Sequence, residues 1–318
     1  MNLPVAVTEP PRRGTISLVL GSGGARGYAH VGVIEELRAQ GYEIRSVAGS
    51  SMGALVGGVY AAGKLTEYRE WACGLKTFDV LRLVDWSWRG GGLIKGQRVI
   101  GALRDLVGET NIEDLPISYT AVAVDIDAQR EVWFSRGSLF DAIRASISIP
   151  TVFRPHRYQG RRLVDGGLLN PVPVTPTLRD LTDATIAVDV NAEAEGVAER
   201  ETPITRPEIR EPDETQRAGM SRIGAMWERF VEKRATKRVV LHEPGVLDLF
   251  ARSLDVVQET LTRYKLAAQP PDLVISIPRN VCAFYEFQRA AEVIEIGRQR
   301  TREALARWQR VKRSQGWP

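Results

Sequence analysis

Cysteine is scarce in this chain: Cys73 and Cys282 are its two, far apart in the sequence. Such a pair makes no disulfide framework and no metal-ligand set, and it fits a reducing compartment. Long apolar runs are missing. No stretch approaches the roughly 18 residues that a membrane-spanning helix needs. Met1 to Thr15 carries Pro4, Pro10, Pro11, Arg12 and Arg13 and no apolar run of signal-peptide length, so no leader is expected. Charge of one sign is also scarce: 43 Lys and Arg against 39 Asp and Glu leave a net charge of +4. That is too little to argue for nucleic acid without a motif, and no such motif occurs. Histidine numbers three, His30, His156 and His242. What remains is an ordinary globular composition, 43% hydrophobic and 26% charged over 318 residues. It fits one large α/β domain or two smaller ones.

The chain is organised around Gly49-Ser50-Ser51-Met52-Gly53. A strand pattern, Glu43 to Ala48, precedes it, and a small-residue helix pattern, Ala54 to Ala62, follows. Strand, G-x-S-x-G and helix form the context of a nucleophile elbow, in which a sharp turn exposes the Ser51 hydroxyl. Gly49 and Gly53 leave room for the neighbouring backbone. An ordinary βα turn is the competing reading.

Upstream, Ile16 to Leu20 reads as a strand running into Gly21-Ser22-Gly23-Gly24-Ala25-Arg26-Gly27, and Tyr28 to Ala39 as a helix. A glycine-rich loop at a helix start presents bare N–H groups to an anion. A dinucleotide fingerprint counted from Gly21 would need glycine where Arg26 stands, and an acidic residue about 20 positions on. That region is Ala48-Gly49-Ser50. A P-loop would need Gly-Lys-Ser/Thr. An oxyanion hole therefore fits better than a nucleotide site.

A third signal is Asp165-Gly166-Gly167, after the strand pattern Arg161 to Val164. An Asp there can point its carboxylate into a cleft. A plain Asp-Gly turn is the alternative.

Residues 1–14 read as a flexible arm, and 15–191 as the catalytic core. Residues 79–98, with Trp86, Trp88 and Arg89 to Gly96, read as a lid or interfacial loop, or as a surface turn. Residues 192–216 read as an acidic loop or disordered insertion: 192–215 hold eight acidic residues, three arginines and three prolines. Residues 217–318 read as a helical part with one late strand, Leu273 to Ile277, returning to the core. Its first helix carries Met220, Ile223, Trp227, Phe230 and Val231 on one face. Its second carries Phe250, Leu254, Val257, Leu261 and Tyr264. The last helix is expected from about Ala283 to Val311. From Arg298 to Arg313 it has seven basic residues and one acidic. That face is either solvated or turned to anionic headgroups.

A serine hydroxyl needs a base. The order Ser51, Asp165, His242 matches the α/β-hydrolase triad. Yet only about two strands fit before the elbow, and His242 sits at a helix break with no loop signature. A carboxylate acting directly is the other solution.

The blocks Gly21 to Gly27, Gly49 to Gly53 and Asp165-Gly166-Gly167 together resemble the three signatures of the patatin-like phospholipases. Tyr28 to Val33, Gly92 to Gly96, Ser148 to Phe153 and Pro271 to Ile275 resemble the bacterial branch related to neuropathy target esterase. The resemblance implies a three-layer α/β/α domain with a central mixed, mostly parallel sheet. It implies a lipid acyl hydrolase of phospholipase A or lysophospholipase type, with a Ser51–Asp165 dyad and an acyl-enzyme. The N–H groups of Gly23, Gly24, Ala25 and Arg26 are the candidate oxyanion donors. Gly21, Gly49, Gly53 and Gly166 are motif glycines. No metal or cofactor is expected. The expected partner is a phospholipid, a lysophospholipid or another acyl ester, with peripheral contact at the inner membrane face of a cytoplasmic protein. The alternatives are a Ser51–Asp165–His242 esterase and a non-catalytic lipid-binding adaptor.

Overall fold

A computed structural model of the chain describes residues 13–76, Asp79, 96–195 and 246–314. The chain divides into residues 1–195 with 251–318, and residues 196–250. Of the latter only 246–250 are described. The N-terminal arm up to residue 12, the Trp86/Trp88 loop, the acidic segment from residue 196, the helix expected from Arg217 and His242 lie outside the described residues.

Eight strands form one sheet in the order β5 (His156–Tyr158), β6 (Arg161–Asp165), β3 (Ser118–Asp125), β2 (Tyr42–Ser50), β1 (Gly14–Leu20), β7 (Ala184–Ala192) and β8 (Leu273–Pro278). β4 (Arg130–Phe134) also pairs with β3. The run from β3 to β8 is parallel, and β4, β5 and β6 add antiparallel pairings. Leu18, Val19 and Leu20 are wholly buried, as a continuous apolar run in a parallel sheet should be, because both faces are covered.

On one face Leu18, Leu20, Ile186 and Val188 join the main core. That core takes in α1 (Ala29–Ala39), α2 (Met52–Ala61), α3 (Leu65–Gly74), α4 (Gln97–Val107), α5 (Leu139–Ser146) and α7 (Ala290–Ser314). On the other face Val19 and Ala187 pack with Val172 and Val174, and Leu266 of α6 (Val246–Ala268) lies against them. Helices on both sides of a mixed, mostly parallel sheet make the three-layer architecture that the resemblance implies.

Two expectations change. The last helix begins at Ala290, not near Ala283. Of the intervening residues, Phe287–Arg289 form a 3-10 turn, and Glu286 ties back to the Ala283 N–H. The basic face of α7 is partly neutralised within the fold: Arg298 pairs with Glu35, Arg302 with Glu36, and Arg300 with Glu195 and Glu303. A Cβ on Gly32 would collide with the Ile294 carbonyl, and one on Gly297 with the Ala29 carbonyl, so α1 and α7 cross backbone to backbone. The stripe expected on α6 is only partly its inward face: Leu254 and Leu261 are half-buried. Val257 and Tyr264 are 47% and 71% exposed, whereas Gln258 and Thr262 are buried. The surface under this helix is polar: Asn191 donates to Gln258 Oε1 and to the Ser22 carbonyl.

Candidate active site

β2 ends at Ser50 and α2 starts at Met52. Ser51 takes the turn alone, at φ 55° and ψ −123°. That conformation is strained for a side-chain-bearing residue and is tolerated where the surroundings enforce it. Here they do. A Cβ on Gly49 would strike the Gly53 carbonyl, and one on Gly53 the Leu20 carbonyl, so the turn closes as tightly as two bare backbones allow. Ser51 makes no side-chain cap bond to α2. Its hydroxyl donates instead to Asp165 Oδ2 at 2.5 Å.

Asp165 is the last residue of β6. Its Oδ1 accepts the Gly167 N–H at 2.7 Å, and its own N–H donates to the Ser148 carbonyl at 3.0 Å. The residue is 3% exposed. Burial pushes its carboxyl up to about 7, although the bonds from Ser51 and Gly167 favour the charged form. The Asp165 carboxyl therefore titrates near neutrality, the range that suits a general base.

The glycine loop lies beside it. The N–H groups of Gly21 and Ser22 donate to Val188 and Pro171 carbonyls. The Ala25 N–H donates to the Phe284 carbonyl at 2.8 Å and the Arg26 N–H to the Gly23 carbonyl at 3.2 Å. Gly23 and Gly24 are left as the loop positions whose N–H groups bond to no described residue. Gly24 has φ 56°, and a Cβ there would press on the Phe284 carbonyl. Ala25 and Arg26, expected among the oxyanion donors, have already spent their amides on the fold.

The Arg26 side chain is buried and acts as a clamp. It bonds the Gly23 and Arg279 carbonyls and pairs with Asp255 at 2.9 Å. His30 is buried beneath the same loop, with Nε2 2.8 Å from the Gly21 carbonyl, which makes Nε2 the protonated nitrogen. Burial lowers its pKa to about 4, so the ring is neutral and holds the loop. His156 faces Asp141 at 3.2 Å. Among the described residues no histidine bonds to Ser51 or Asp165.

Sequence reading passed over Ser146. Its Oγ accepts the Ser51 N–H at 2.9 Å and donates to the Val122 carbonyl at 2.6 Å. The available signal was a pair of serines, Ser146 and Ser148, inside the otherwise apolar helix end before Pro150.

A cavity of about 270 Å³ opens at Ser51 and Gly24. Its walls are apolar: Leu55, Trp71, Leu103, Ile147, Phe153, Phe284 and their neighbours. It can exclude water from an acyl chain while one polar end meets Ser51. Among the described residues no cluster of three or more His, Cys, Asp or Glu could hold a metal ion, and no helix is long and apolar enough to cross a membrane.

A family model described as patatin-like phospholipase matches residues 18–178. Proteins named as uncharacterized NTE family proteins, from Mycobacterium tuberculosis and Mycobacterium bovis, are 42% identical over 95% of this chain and 94% of their own. The neuropathy target esterase sws of Drosophila melanogaster is 32% identical over 56% of this chain and 13% of its own. The crystal structure of VipD from Legionella pneumophila superposes with a TM-score of 0.50 at 14% identity, covering 93% of this chain and 67% of that one. That last likeness is one of fold.

Proposed function

The chain belongs to the patatin-like phospholipase family, whose members act on lipid esters, and from that membership we propose that it is a serine lipid acyl hydrolase using Ser51 and Asp165 as a dyad. The observation that carries this reading is the 2.5 Å bond from Ser51 to Asp165 at the mouth of an apolar cavity. In a triad the acid bonds the histidine. Here the carboxylate bonds the serine itself, and its other oxygen is taken by Gly167.

Asp165 takes the Ser51 proton as Oγ attacks the ester carbonyl carbon. The carbonyl oxygen becomes an oxyanion facing the free N–H groups of Gly23 and Gly24. Collapse breaks the bond to the leaving alcohol, which receives the proton from Asp165. Water then attacks the acyl-enzyme, with Asp165 as base again, and Ser51 is regenerated as the acid departs. Removing one oxyanion donor in such a site costs roughly a hundredfold or more in turnover. The substrate is a phospholipid, lysophospholipid or simpler acyl ester with one chain in the cavity.

The test is hydrolysis of a short-chain chromogenic acyl ester by the wild type and by Ser51→Ala, Asp165→Asn and His242→Ala, each checked for folding. The dyad reading expects the first two to be inactive and the third near normal. An inactive His242→Ala would return the triad. A folded wild type that binds lipid but turns over neither this ester nor a panel of lipid esters would favour an adaptor.

A further inference from the structure

The turn that ends α5 touches both members of the reactive pair and also the cavity. Ser146 Oγ takes the Ser51 N–H. Two residues on, the Ser148 carbonyl takes the Asp165 N–H. Ile147 and Ile149, which alternate with them, line the cavity. Both serines are wholly buried.

The Ser146 bond is directed. The hydroxyl spends its proton on the Val122 carbonyl at 2.6 Å, which leaves a lone pair for Ser51. Val122 is itself fixed, because it pairs in register with Ser50. Its carbonyl also abuts Gly166, where a Cβ would collide with it. Val122 therefore stands beside the residue before Ser51, its carbonyl lies against the residue after Asp165, and Ser146 ties the Ser51 backbone to that carbonyl. Ser148 cannot drift either: its hydroxyl donates to the Arg144 carbonyl at 2.7 Å, and the Arg144 guanidinium donates to it at 2.6 Å.

The Ser51 N–H lies at the helix start, where a backbone donor has no carbonyl a turn earlier to bond. Without Ser146 it has no acceptor, and the one hydrogen bond that holds the Ser51 amide against relaxation of the strained φ is lost. A shift of the backbone by about 1 Å would carry Oγ out of line with both the carboxylate and an incoming ester. Building on the dyad reading, we infer that Ser146 is a positioning residue: its hydroxyl holds Ser51 in the conformation that aims Oγ at Asp165. The cavity wall on the same turn places the acyl chain in register with that pair. Ser146 touches neither substrate nor the reacting atoms.

The experiment compares the wild type with Ser146→Ala and Ser146→Cys. The cysteine variant keeps the size and offers sulfur as a weaker acceptor. The readouts are the phosphonylation rate of Ser51 by an alkyl fluorophosphonate, kcat per titrated site, and KM. The expected result is a drop of roughly tenfold to a hundredfold in phosphonylation and kcat for Ser146→Ala. Ser146→Cys should fall between it and the wild type, and KM should stay within about twofold. A structural role alone would lower the number of titrated sites and leave the rate per site unchanged; that result overturns the inference. So does a rise in KM with kcat intact. If Ser146→Ala does not fold, Ser146→Cys decides by the same two readouts. A wild type that neither hydrolyses esters nor labels at Ser51 overturns the dyad reading, and this inference with it.

Discussion

Replacing Asp165 by Asn should stabilise the protein while removing its activity, and the stabilisation should depend on pH. Asp165 is buried, and its carboxyl lies at about 7 instead of the ordinary 3.8. Below about pH 4 it is protonated in both folded and unfolded chains and makes no difference. Between about 4 and 7 the unfolded chain loses the proton while the folded one keeps it, so the wild type loses stability as pH rises through this window. Above about 7 both forms are ionised and the full penalty is present. At 1.36 kcal/mol per pKa unit that penalty is about 4 kcal/mol. Asn is neutral throughout. Its carbonyl oxygen can keep the Gly167 N–H, and its amide faces the Ser51 oxygen. Urea denaturation at pH 5, 6, 7 and 8 should show Asp165→Asn gaining on the wild type with each step, up to about 4 kcal/mol at pH 8. A variant no more stable at pH 8, or one offset by a constant amount across the series, would refute the reasoning. The gain is the usual exchange of stability for function at a site that holds a buried charge.

The same ionisation should govern turnover. With Asp165 as the base, kcat/KM rises with pH through about 7 and then levels. His30→Gln, which can keep a donor to Gly21, should retain that inflection, and its loss would make His30 the titrating group. Gly24→Ala puts a Cβ against the Phe284 carbonyl and moves a free N–H. Its kcat per folded molecule should fall roughly a hundredfold or more, and its thermal stability should fall as well, because φ 56° and the Phe284 backbone both oppose a Cβ; an unaltered kcat would remove Gly24 from the oxyanion site. In a series of straight-chain esters, kcat/KM should rise about fourfold per methylene, from roughly 0.8 kcal/mol of burial each. The rise should stop abruptly once the 270 Å³ cavity is full. A flat series would mean that the chain lies elsewhere.

The elbow, the glycine loop and Asp165-Gly166-Gly167 were legible because each is a local device. A strained turn or a bare-amide loop needs particular residues within a few positions, and the three-layer fold around them came with the resemblance that these blocks carry. Long-range partners left no such mark. That the Ala25 amide is spent while those of Gly23 and Gly24 stay free depends on Phe284, more than 250 residues away. That the Arg26 side chain anchors the loop rests on Asp255 and the Arg279 carbonyl, far along the chain. On α6 apolar periodicity finds Leu254 and Leu261 but misses Gln258, because it assumes an apolar surface beneath, and here Asn191 and Ser22 call for a polar partner. The start of α7 was placed early because Phe284 and Phe287 fit a helical stripe as well as they fit the cavity wall they form.

The central claim is that Ser51, activated by Asp165 without a histidine, carries the acyl group. The most direct measurement is an acid quench during turnover of a chromogenic acyl ester, followed by peptide mass mapping. The wild type should show the acyl adduct on Ser51, and His242→Ala should show it as well, while Asp165→Asn should show none. An adduct on another residue, or steady turnover with no adduct at Ser51 in any variant, would contradict the account.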